Sequence, residues 1–119
     1  MYHDCCRPYH IGKAQPDTAE LLMRARYSAF FFRLVDYLVS STHPDVRGKD
    51  LRAELDDVVD DMLWRKLRII SKSKGGADDK KGKVEFIAQY HCDGEFLELH
   101  ERSRFRKYKG QWKYVDDKG

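Results

Sequence analysis

Cysteine is scarce in this chain of 119 residues, with only Cys5, Cys6 and Cys92 present. So sparse and odd a set excludes a disulfide framework and points to a reducing compartment. Adjacent Cys5 and Cys6 would form a strained bridge with each other. Long apolar runs are also missing, and none approaches the roughly 20 residues that span a bilayer. The opening residues, MYHDCCRPYH, lack the charged start and apolar middle of a signal peptide. A cytoplasmic protein with no membrane partner is the expectation. Nor does one sign of charge dominate: the net charge is +3, short of the strongly basic balance of a dedicated nucleic-acid domain.

What is present fits a single folded domain. Hydrophobic residues make up 41% and aromatics 13%, against 36% charged residues, so one core can be buried beneath a heavily charged shell. The charges segregate. Acid collects at Asp56, Asp57, Asp60 and Asp61, and base at Lys72, Lys74, Lys80, Lys81 and Lys83 and again from Arg102 to Lys113.

Pro16 precedes Asp17 and Thr18, either of which can cap free helix amides, and Glu20 follows Asp17 in capping-box spacing. Leu22, Met23, Arg26, Tyr27, Phe30 and Leu34 then recur at helical spacing, laying an apolar stripe on the core with Arg26 on its flank. A short helical or turn segment from Asp36 to Ser41 ends at Thr42, His43 and Pro44, because the residue before a proline is pushed out of the helical region. Leu51, Leu55, Val58, Val59 and Met62 predict a second amphipathic helix ending near Leu63 to Trp64, with its aspartates facing away.

Leu67 to Ser73, Val84 to Tyr90, Phe96 to Lys107 and Gln111 to Val115 read as four strands separated by glycine- and lysine-bearing turns. The stretch from Lys74 to Lys83 is expected to be a mobile hairpin loop. Helices followed by consecutive antiparallel strands imply an α+β fold, with N-terminal helices packed on one face of a strongly curved antiparallel sheet.

One strand breaks its own pattern. In LELHERSRF, Leu97, Leu99 and Phe105 share a face, and the alternation carries Glu101 and Ser103 onto that same apolar face. His100, Arg102, Arg104 and Arg106 project from the other. An inward carboxylate without a partner is costly, so this face is either paired with a cation or lines a polar-tipped pocket.

The ordered motifs CCRPYH, LLMRARYSAF, DYLVSSTHP, VEFIAQY, HERSRF and WKYVDD resemble the YchJ-like family of uncharacterised bacterial proteins across nearly the whole chain. The resemblance implies a cone fold of the nuclear-transport-factor-like or SnoaL-like type, in which helices cover a curved sheet and leave a cavity. It also implies a SEC-C zinc motif, a CxC pair followed by a second, adjacent pair. Only that second pair is present, as Cys5 and Cys6. Zinc needs four ligands in a closed structural site. Either the start is truncated or zinc binding has been lost, and zinc is expected only if the missing half is supplied. Residues 1–13 are therefore expected to be a flexible remnant of that motif, with His3 and His10 as further candidate ligands, and residues 14–119 the cone domain.

For function the residues leave two classes open. A protein- or small-ligand-binding module would use a pocket of Arg26, Tyr27, Tyr37, His43, Glu101 and Ser103. An enzyme would use His43 or Glu101 as general acid or base, although no complete acid–base–nucleophile set is evident. A structural Arg26–Glu101 ion pair accounts for the carboxylate without any ligand and is the preferred reading. Nucleic acid along the arginine stripe ranks low as a partner. The aspartate cluster reads as a solvated helix face rather than a divalent-ion site, and Cys92 as an ordinary thiol. Cone folds of this type often pair through the sheet, which leaves a homodimer open.

Overall fold

Thr18, not Asp17, starts the principal helix: its hydroxyl accepts a hydrogen bond from the Leu21 amide at 3.1 Å, satisfying a free donor of the first turn. The computed structural model describes residues 6–118. Among these residues four helices come first, α1 (Arg7–His10), α2 (Ala19–Phe31), α3 (Val35–Ser40) and α4 (Leu51–Asp61), with a 3₁₀ turn at Pro44–Val46 between α3 and α4. Four strands follow, β1 (Leu63–Lys74), β2 (Lys81–Cys92), β3 (Glu95–Tyr108) and β4 (Gln111–Asp116). They form one antiparallel sheet in sequential order, and α2 lies across one face of it. This is the expected α+β cone.

α2 buries Ala19, Leu22, Met23, Ala25, Arg26 and Ala29. Arg26 is therefore central to the packed face rather than on its flank. The helix ends where Arg33 takes a left-handed backbone, with φ of 60°. Leu34 consequently leaves the α2 stripe and becomes the residue that leads into α3. α4 buries Leu55 and Val59 in a small second cluster with Ala29 and Leu38, and its aspartates face solvent.

β1 begins four residues before the expected Leu67. Register shifts fall between Trp64 and Lys66 and between Ile69 and Ser71. The first bulge inserts an extra residue, so Trp64 and Leu67 both reach the inner face and the period-2 signature is lost there. Along β3 the alternation holds: Leu99, Glu101, Ser103 and Phe105 face inward and His100, Arg102 and Arg104 outward. Phe86 pairs with both Ile69 and Glu101, which sets the carboxylate among apolar side chains.

The β1–β2 connection is packed, contrary to the mobile loop expected from its lysines and glycines. The Ala19 amide donates to the Gly75 carbonyl at 2.9 Å and the Lys107 amide to the Lys80 carbonyl at 2.9 Å. A Cβ on Gly82 would stand 2.5 Å from the Gly75 Cα, so the two backbones meet where only glycine fits. At the far edge, β4 is covered by the chain after α3. The Tyr114 amide donates to the Ser41 carbonyl and the His43 amide to the Tyr114 carbonyl, both at 2.8 Å, which protects an otherwise open edge.

The start of the described chain is docked. Cys6 is 4% exposed, its sulfur accepts from Ser28 Oγ at 3.2 Å, and His10 Nε2 lies 2.7 Å from the Ala25 carbonyl. These contacts cover the outer flank of α2, which the sequence pattern alone did not mark as covered. Cys5 and His3 lie outside the described residues.

Candidate functional site

Between α2, α4 and the inner face of β2, β3 and β4 lies a cavity of about 510 Å³. Its walls are mostly apolar, from Met23, Phe30, Leu55, Val58, Phe86 and Leu99. Of the six residues predicted to form a pocket, Arg26, Tyr27, Glu101 and Ser103 line this cavity.

Arg26 does not pair with Glu101. Its Nη1 donates to the Leu38 carbonyl at 3.0 Å, Ser41 Oγ at 2.7 Å and Thr42 Oγ1 at 3.2 Å. Its guanidinium lies over the Tyr114 ring, 4.3 Å from the centroid. The cation thus closes the carbonyl end of α3, where the helix dipole is negative, and gains an aromatic face as well. Burial lowers its pKa to about 10, offset in part by Tyr114 and Tyr37. The sequence supplied both charges, but α3 and β4 captured the cation first.

Glu101 is left half-buried in the cavity wall with no hydrogen bond or ion pair among the described residues. Desolvation, and after it the nearby Asp117 charge, pushes its carboxyl above the ordinary glutamate range. Tyr114 feels both Arg26 and Glu101, and burial drives its phenol up to about 12. Ser103, 1% exposed, sits two residues on from Glu101 along the same face.

The sequence reading missed Trp64. It is 8% exposed, lines the cavity, and packs edge-on against Tyr27 at 5.8 Å between ring centroids. Phe30 and Tyr90 complete the aromatic cluster, at 5.9 Å and 5.2 Å from Trp64. Trp64 Nε1 and Tyr27 Oη are buried and lack partners among the described residues. Each such group costs about 1–3 kcal/mol of desolvation unless something supplies the missing bond. A tryptophan just past an amphipathic helix was the available signal, but the bulge hid its face.

Tyr37 and His43 lie elsewhere, correcting their assignment to this pocket. Tyr37 borders a smaller cavity beside α1, of about 240 Å³, with the His10 ring edge-on at 4.7 Å. His43 is 5% exposed and caps the 3₁₀ turn, its Nδ1 accepting from the Asp45 amide at 3.1 Å. Its ring stands edge-on to Tyr108, and desolvation and the Arg106 charge hold its pKa below the ordinary histidine value.

The outward arginines are largely neutralised. Arg104 holds Asp116 through Nε at 2.7 Å and through Nη2, which takes the Asp116 carboxyl down to about 2. Arg106 pairs with Asp45 at 2.8 Å, while His100 and Arg102 share Glu85 at 2.6 and 3.5 Å. No group of three His, Cys, Asp or Glu side chains among the described residues could hold a metal ion. Cys6 and His10 both turn onto α2 backbone or hydroxyl groups, so the described residues do not assemble a zinc set. No helix among them is long and apolar enough to cross a membrane.

A helix-covered antiparallel sheet enclosing a lined cavity defines the nuclear-transport-factor-like class of α+β cone domains. The chain matches the family described as YchJ, middle NTF2-like domain, over residues 18–117, and belongs to it. It is 40% identical over 115 residues to a UPF0225 protein of Vibrio parahaemolyticus, covering 97% of this chain and 68% of that protein. A Serratia proteamaculans UPF0225 protein is 39% identical, with 97% and 75% covered. Among solved structures, a SEC-C motif containing protein from Rhodopseudomonas palustris superposes with a TM-score of 0.85 at 32% identity, over 98% of this chain and 89% of that one. One from Psychrobacter arcticus gives 0.82 at 30% identity, over 99% and 72%. An LEH-like epoxide hydrolase of M. tuberculosis, at 16% identity and a TM-score of 0.58 over 86% of each chain, shares the fold alone.

Proposed function

We propose that this domain is a cytoplasmic binding module that holds a small, largely apolar molecule in the cavity between α2, α4 and the sheet. The sparse cysteines support the compartment. The observation that carries the binding reading is a mostly apolar cavity with an unpaired carboxyl in its wall. Glu101 lines it with no hydrogen bond or ion pair among the described residues. About 510 Å³ lies within the usual range of small-molecule sites, about 300–1,000 Å³.

A second reading, catalysis, draws on Glu101 alone, because desolvation holds its carboxyl above its ordinary pKa, the direction general acid–base chemistry uses. His43 supplies no help there, since it faces Asp45 and Tyr108.

The neutral dye Nile red tests the binding reading. Its emission is expected to shift to the blue on titration with the protein. Leu99→Trp, which fills the cavity from a partly buried position, is expected to abolish the shift while the chain stays folded by circular dichroism. No shift with the unaltered protein, or a shift that survives Leu99→Trp, would overturn it.

A further inference from the structure

Resting on the reading of the cavity as a ligand site, we infer that its ligand carries a cationic nitrogen, an ammonium group on an apolar body, and that Glu101 is the counter-ion.

The charges of the wall are not equivalent. Arg26 and Asp116 line the cavity with Glu101, and both already have partners. Asp116 is held by Arg104 at 2.7 Å and by the Lys118 amide at 3.0 Å. Arg26 commits Nη1 to Leu38, Ser41 and Thr42 and lies over the Tyr114 ring. Glu101 has neither a hydrogen bond nor an ion pair among the described residues. Its neighbours on the inner face bring no charge: Phe86 stands opposite on β2, and Leu99 and Ser103 lie two residues away along β3. After burial, the influence on its carboxyl is Asp117, a charge of the same sign. The Arg26 charge is felt instead by Tyr114 and Tyr37.

A carboxylate that the fold desolvates and does not compensate is a place for a cation. An ammonium donates to it in a charge-assisted hydrogen bond, stronger than a neutral donor provides, and offsets the Asp117 charge as well. Because Glu101 is half-buried rather than enclosed, the ammonium keeps part of its hydration, which limits the desolvation that makes buried pairs costly. Met23, Phe30, Leu55, Val58 and Phe86 take the apolar body. Arg26 keeps Nε and Nη2 free of bonds among the described residues, so an anion seated there is the rival. It gains less, because three oxygens and a ring already stabilise that guanidinium, whereas no positive charge stabilises Glu101.

Four probes on one ring system test this by isothermal calorimetry near neutral pH: naphthylmethylammonium, naphthoate, naphthylmethanol and methylnaphthalene. The ammonium is expected to bind the unaltered protein at least about tenfold more tightly than methylnaphthalene or naphthoate. Glu101→Gln, which keeps the shape and removes the charge, is expected to erase that preference and to leave methylnaphthalene unchanged. Naphthoate or naphthylmethanol binding as tightly as the ammonium, or an ammonium preference that survives Glu101→Gln, would overturn the ligand class and the role of Glu101 while the cavity stands as a site. Failure of all four, together with Nile red, would remove the site itself and this inference with it.

Discussion

Glu101 shows how far a single side chain can be argued. Alternation along β3 turns it inward, and the backbone leaves no other choice, yet the expected partner is held elsewhere: Arg26 closes α3 and lies over Tyr114. The energetic consequence reverses sign. A broken ion pair would make Glu101→Gln destabilising, whereas an unpaired, desolvated carboxylate makes the same change stabilising near neutral pH. The Glu101 pKa is raised in the fold, so the folded state binds this proton more tightly than the unfolded chain. The stability it supplies is complete below the unfolded glutamate pKa and is lost as pH rises through the folded value. Thermal melts are therefore expected to show a higher Tm for Glu101→Gln at neutral pH and a vanishing difference at pH 3 to 4, about the ordinary carboxylate range. A double-mutant cycle of Glu101→Gln with Arg26→Met should show coupling below about 0.5 kcal/mol. For Tyr27→Phe, removing an orphan hydroxyl is expected to leave the protein as stable as before or up to about 1 kcal/mol more stable in thermal melts.

Among the elements, the β1–β2 connection carries the clearest prediction. Gly75 and Gly82 bring two backbones together beneath the start of α2, and a Cβ on Gly82 would meet Gly75 Cα, N and the Lys74 carbonyl carbon at 2.5 to 3.1 Å. The obstacle is main chain, which cannot rotate aside as a side chain does. Gly82→Ala is expected to lower stability by about 1–3 kcal/mol in urea unfolding, while Gly48→Ala, with open space around it, should change it by no more than about 0.5 kcal/mol. Composition alone read this segment as a mobile tip, because lysines and glycines mark an exposed turn and nothing local reveals what lies across from it. The strands were legible wherever the pleat kept its period of two. Trp64 escaped where a bulge broke that period, and with it went one wall of the cavity.

For the whole molecule, the cavity divides a firmly held part from a lightly held one. The sheet and α2 share the main core of Phe86, Phe105, Trp112 and their neighbours. α4 packs chiefly on α3 through the small cluster around Leu38, Leu55 and Val59. A helix with few buried anchors opens at lower free-energy cost than the core. Hydrogen exchange of the free protein is expected to show α4 amides exchanging well ahead of α2 amides, with α4 slowed most when a ligand fills the cavity it covers. Equal protection of the two helices, or no change on ligand addition, would count against α4 as the moving wall.

Periodicity, capping and turn chemistry are local, and from them the sequence by itself determined the helix-then-strand order, the α+β class and the inward face that holds Glu101 and Ser103. Which groups meet across the fold was decided only by tertiary structure. The α3 carbonyl end and the Tyr114 ring reach Arg26 before Glu101 does, His43 is turned to cap its own loop, and Trp64 is swung into the cavity by a bulge. Those outcomes depend on distances between residues far apart in the chain, where small differences in packing choose one hydrogen-bond partner over another equally suited in type.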